Sequence, residues 1–143
     1  MRKVDTPADE LLASYPDDVR GALEELDALI RAALPGRSRT VWEGRFWGGT
    51  DQRIVAYGDI VQPRPRGETT EWVLVGLARQ SKAYSIYVNA VEDGAYLLAK
   101  YAERLGRVKV GSASISIRSI DDVDRDALAE LLCRAHEITP PDA

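Results

Sequence analysis

A single cysteine, a single histidine and the lack of any long apolar run set the first limits on this 143-residue chain. Cys133 has no second cysteine to pair with, so burial must hold the fold, and a reducing cytoplasm is the expected compartment. No charged-then-apolar segment stands before the first helical pattern, which agrees with a cytoplasmic location. No stretch approaches the roughly 20 apolar residues that span a bilayer, so no membrane partner is expected. With His136 the only imidazole, a zinc site would need carboxylates from elsewhere. No catalytic triad can be read, and the glycines at 44, 48 and 49 match neither phosphate-loop spacing. The chain therefore carries no complete catalytic motif, and a binding role is expected before an enzymatic one. A net charge of -4 gives no global attraction for nucleic acid.

An apolar share of 45% over 143 residues suits one domain, 1–143, with its own core. Charge is unevenly spread. Residues 1–35 hold eight acids against four bases and residues 119–143 hold seven against two, whereas 36–118 hold thirteen bases against eight acids. Acidic terminal segments are thus expected to face away from a more basic centre.

Thr6-Pro7-Ala8-Asp9 reads as a helix start with Thr6 as cap, giving a short helix to about Ser14. Pro16-Asp17-Asp18 opens a second helix. Its apolar stripe is Val19, Ala22, Leu23, Leu26, Leu29, Ile30 and Ala33, with Arg20, Glu24, Asp27 and Arg31 on the opposite face. Leu34-Pro35-Gly36 ends it. The period then changes to strands at 39–42, 53–57, 71–78 and 83–91. In the last, Tyr84, Ile86 and Val88 alternate with Ser85, Tyr87 and Asn89, so one face packs and the other looks outward. Residues 72–78 are apolar on both faces, which marks a central strand covered on both sides or one whose outer face binds something. Gln62 to Gly67 reads as an exposed basic loop because its prolines lack donors. A helix is expected from Asp93-Gly94 to Gly106, a bent strand pair over Val108 to Ile117, and a final helix opened by Asp121 to Asp124.

The densest chemistry lies in Val41-Trp42-Glu43-Gly44-Arg45-Phe46-Trp47-Gly48-Gly49, which has neither helical nor strand period and reads as a structured loop. Trp42, Glu43, Arg45 and Trp47 are its candidate ligand contacts. Glu43 and Arg45 project to the same side if the segment is extended, and such a pair either grips a ligand or forms an ordinary surface charge pattern. Tyr57 and Tyr87, on outward strand positions, add hydroxyl groups to the expected small-molecule or partner site. Asp17, Asp18, Asp121, Asp122 and Asp124 are the densest acids, suited to a hard cation and equally to helix capping.

The opening Leu11-Leu12-Ala13-Ser14-Tyr15-Pro16, the Leu34-Pro35-Gly36 stop, Trp42-Glu43-Gly44-Arg45-Phe46, Ser85-Ile86-Tyr87-Val88, and the tail from Val108-Lys109-Val110-Gly111 through Ile120-Asp121-Asp122-Val123 form a set. In that order the chain resembles the YdhG-like family, a bacterial domain of unknown function. The resemblance implies a single compact α+β domain, mainly antiparallel sheet, with N-terminal, central and C-terminal helices packed against it. It also implies a frataxin-like iron-binding or delivery role for some members, which acidic helical faces would serve, and no established reaction. The family's glycine-lysine-serine-cysteine run stands here as Gly111-Ser112-Ala113-Ser114, without the lysine or cysteine.

Overall fold

The computed structural model describes residues 1–45, 51–63 and 65–142. A short strand β1 (Arg2–Val4) leads into helices α1 (Ala8–Ala13) and α2 (Asp17–Ala33). Strands β2 (Arg39–Arg45), β3 (Asp51–Pro63), β4 (Thr69–Gln80) and β5 (Ala83–Val88) follow. A small hairpin of β6 (Val91–Glu92) and β7 (Ala95–Tyr96) precedes β8 (Lys109–Val110), β9 (Ser114–Ile117) and helix α3 (Arg125–Ile138). Seven strands form one antiparallel sheet in the order β1-β2-β3-β4-β5-β9-β8, so β4 is central, as its apolar run requires. The molecule is an α+β domain.

One face of the sheet meets the helices. Val41, Val55, Leu77, Ile86 and Ile115 stand in register across five strands and pack with Leu23, Leu26 and Ile30 of α2 and Leu128, Leu131 and Leu132 of α3. Each wholly buried aliphatic here contributes about 1.5–3 kcal/mol. The opposite face carries a second cluster of Trp42, Ile54, Ala56, Val73, Ala78 and Tyr87, with Met1 and Trp72 against it. The alternation breaks at Gly58, whose φ is 82°. A Cβ there would sit 3.2 Å from Cβ of Leu74, so glycine lets β3 and β4 approach where Leu74 joins Val75 on the helix side.

Several boundaries differ from the sequence reading. α1 is capped by Pro7 in extended geometry without a side-chain bond, so Thr6 lies one residue too early to serve. β3 runs on through Gln62, which belongs to a strand rather than a loop; the turn beyond it is a 3-10 turn at Pro65–Gly67. The expected central helix winds instead as two 3-10 turns, Leu97–Lys100 and Ala102–Arg104, which seat Leu97, Leu98 and Leu105 in the core. The last helix starts after Asp124, whose Oδ1 accepts from the Ala127 N–H at 3.0 Å. Among the described residues, no helix is long and apolar enough to cross a membrane.

Candidate functional site

The segment from Val41 to Arg45 is strand, not loop. β2 pairs residue by residue with β3 from Arg39↔Tyr57 to Arg45↔Asp51. Gly44 keeps a φ of 139° there, and a Cβ on it would stand 3.0 Å from the Met1 backbone, so the glycine admits the chain start rather than a ligand. Trp47, with Phe46, Gly48 and Gly49, lies outside the described residues.

The five candidate residues that are described do not assemble into one site. Trp42 is buried on the face away from the helices, with its ring edge-on to Trp72 at 5.5 Å between centroids and Lys3 Nζ 5.7 Å from its centroid. Glu43 pairs with Arg2 at 3.4 Å and with Arg53, its cross-strand neighbour, at 3.5 Å. Arg45 points into solvent and meets its cross-strand neighbour Asp51 at 3.7 Å, so Glu43 and Arg45 each join a cross-strand ion pair, the surface charge pattern that was the alternative to gripping a ligand. Tyr57 is buried on the helix side and donates to Asp27 Oδ1 at 2.6 Å, the reverse of an outward position. Tyr87 lies on the face away from the helices as expected, yet it is buried there and accepts from Gln80 Nε2 at 2.7 Å.

Two sets of guanidinium groups shape the helix side of the sheet. Near its middle, Asp27 of α2 is buried rather than on the polar face assigned to it, because position 27 falls beside Leu23 and Ile30 on the inward stripe. Its carboxylate accepts from Arg39 Nε at 3.0 Å and Nη2 at 2.8 Å, as well as from Tyr57. Arg39 also meets Asp9 at 2.9 Å. Burial, with the Asp27 charge beside it, pushes the Tyr57 hydroxyl well above the ordinary tyrosine range.

The second set lies where β2 ends at Arg45, β3 begins at Asp51 and β4 turns into β5 at 81–82. Alternation puts Arg53 and Arg79 on the helix side, in line with Val55 and Leu77, but the helices end short of this point. Arg79 lies over the ring of its cross-strand neighbour Tyr84, 4.6 Å from the centroid. Tyr15, in the corner between α1 and α2, faces both cations; burial raises its hydroxyl pKa while Arg53 and Arg79 pull it down. Arg2, Tyr15, Glu43, Arg53, Arg79 and Gln80 line an open cavity of about 860 Å³ with Asp51, Gln52, Gly44 and Ser81. Three guanidinium groups face two carboxylates there. Arg2 and Arg53 share Glu43, and Asp51 meets Arg45, whereas Arg79 has no carboxylate partner among the described residues.

Of the described candidates read from sequence, Glu43 alone lines this cavity. Arg53, Arg79 and Tyr15 were missed. The available signal was parity: Arg79 stands two residues after Leu77 on the packed face of a strand, where a charged side chain needs a reason.

Three of the five acidic groups considered for a cation have partners within the fold. Asp17 meets Arg20 at 3.0 Å, Asp121 meets Arg125 at 3.7 Å, and Asp124 caps α3. Among the described residues, no group of three or more His, Cys, Asp or Glu side chains is arranged to hold a metal ion. Compared with family models, with curated proteins and with solved structures, the chain finds no match.

Proposed function

We propose that this chain is a binding domain whose site is the open cavity at the Arg45 end of β2 and the Asp51 end of β3, and that its ligand is a small polar molecule bearing an anionic group. The observation that carries this reading is Arg79: a cation held in place by stacking on Tyr84, facing a cavity of ligand size, with no acid partner among the described residues. Arg53 and the Tyr15 hydroxyl supply further donors to the same anion, and Gln80 and Glu43 can meet hydroxyl or amine groups on the rest of it. This reading keeps the expected site near the 42–47 segment and moves its centre from Arg45 to Arg79. The likeness to the YdhG-like family stands as a second proposal, supported by the residue set given above; it names no ligand for this cavity. An iron role has no supporting side-chain arrangement among the described residues.

The test is calorimetric titration with inorganic phosphate and with succinate. Saturable binding of at least one is expected for the parent chain, weakened about 10- to 100-fold in Arg79→Ala, the worth of a charge-assisted hydrogen bond. Binding should be unchanged in Arg45→Ala. No binding of either probe, or equal binding in Arg79→Ala, contradicts the proposal.

A further inference from the structure

At the far end of the sheet, the apolar surface left in solvent is concentrated in one place. Val61, Val91 and Tyr96 are the exposed large hydrophobics among the described residues, at 55%, 53% and 39% exposure, and all three line a single cavity of about 720 Å³. Scattered exposed apolar residues need no explanation, but three around one concavity do. β3 beyond Gly58 forms one wall, the segment after β5 and the β6–β7 hairpin form another, and Ile138 to Pro141 close the third.

Asn89 makes this more than a greasy surface. It is 6% exposed and lines the cavity. Its backbone N–H donates to the Leu74 carbonyl at 2.9 Å and its Nδ2 donates to the Val73 carbonyl at 2.9 Å. Those two bonds fix which way the amide points, since a carbonyl partner demands the nitrogen. Oδ1 accepts from no described residue and is not wholly buried, so an unpaired acceptor stays open at the wall of the cavity. Asp59, the acid on the wall, is occupied by Lys3 at 3.3 Å and by the Ser38 hydroxyl at 3.1 Å, and therefore offers no free charge to a ligand.

We propose that this cavity is a second small-molecule site, separate from the anion site, that takes an uncharged apolar molecule with one N–H or O–H donor directed at Asn89 Oδ1. The volume lies inside the range of roughly 300–1,000 Å³ seen for such pockets, and a mostly apolar lining with a few polar groups, here Asn89, Gln62, Thr139 and the paired Asp59, is their usual chemistry. The donor gives orientation; the valines and Tyr96 give affinity.

Indole and 1-methylindole are the probes, because they share one body and differ in the N–H. Titration into the ¹⁵N-labelled chain should give saturable amide shifts at Val61, Asn89, Val91 and Tyr96 with indole, and several-fold weaker binding with 1-methylindole. Val61→Lys, at an exposed position, should abolish the indole shifts and leave the rest of the spectrum intact. Shifts that do not saturate, that fall elsewhere, or that are equal for both probes overturn the proposal. So does a concentration-dependent rise in sedimenting mass that Val61→Lys removes, since the surface would then be an interface between copies.

Discussion

Arg39 and Arg79 stand on the same side of the sheet and meet opposite surroundings. Arg39 lies under α2, where both oxygens of Asp27 receive it, Asp9 takes its outer edge, and the Tyr57 hydroxyl completes the set. Arg79 lies beyond the helices, held by an aromatic ring and open to a cavity. Satisfied buried charges hold elements together and offer nothing to a ligand, because each donor and acceptor is used. A positioned cation without an acid is the converse: it contributes little to folding and keeps its donors for something else. Residue type does not separate the two, since each set contains arginine, a carboxylate and tyrosine; coverage by α2 does.

The largest expected effect lies in the covered set. Asp27→Ala strands the buried Tyr57 hydroxyl and leaves the half-buried Arg39 guanidinium with Asp9 alone, and should cost about 3 kcal/mol, read as a fall in the denaturant midpoint at unchanged slope. An intermediate loss is expected from Arg37→Ala. The Arg37 side chain is buried and donates to the carbonyls of His136, Thr139 and Pro140 at 3.1, 2.7 and 2.6 Å, supplying partners that the C-terminus of α3 lacks. Its removal should cost roughly 1–3 kcal/mol by thermal or denaturant unfolding.

A pH measurement sharpens the contrast further. The Tyr57 pKa is raised in the folded chain by burial and by Asp27, so the folded state binds its proton more tightly than the unfolded state does. Its contribution is therefore complete below the unfolded value of about 10 and is lost as pH rises from there toward the folded value. Stability should fall above pH ~10 in the parent chain, and fall less steeply in Tyr57→Phe. Smallest of all should be the open set: Arg45→Ala, exposed and 3.7 Å from Asp51, should change stability by no more than about 0.5 kcal/mol.

The same contrast explains what the sequence made legible. The apolar stripe of α2, the inward set through Ile86 and Val88 and a helix after the 121–124 acids each depend on spacing within one element and are present, whereas what depends on other elements differs: Asp27 turns inward, Ser85, Tyr87 and Asn89 are covered, and α3 starts only after Asp124. β1 did not announce itself, because Arg2–Val4 is only three residues long, has two exposed cations, and is made a strand by pairing with the distant β2. The segment at Trp42 misled for a physical reason: its glycine and aromatics suit a loop, but Trp42 packs on Trp72 and Gly44 makes room for Met1, both partners distant in sequence. Tyr57 failed similarly, since only the tertiary position of Asp27 turns a strand tyrosine inward to a carboxylate. Arg79 was invisible as a site because the ends of α1 and α2, which leave it uncovered, are not local properties of Leu77-Ala78-Arg79-Gln80.

The central claim is that one arginine is spent and the other is free, and arginine side-chain Nε–Hε resonances report on both at once. Recorded during a phosphate titration, the Arg79 signal should move and saturate with the calorimetric affinity, while the Arg39 signal, tied to Asp27 at 3.0 Å, stays still. Movement of Arg39 without Arg79, or no movement of either while phosphate binds, would contradict the account.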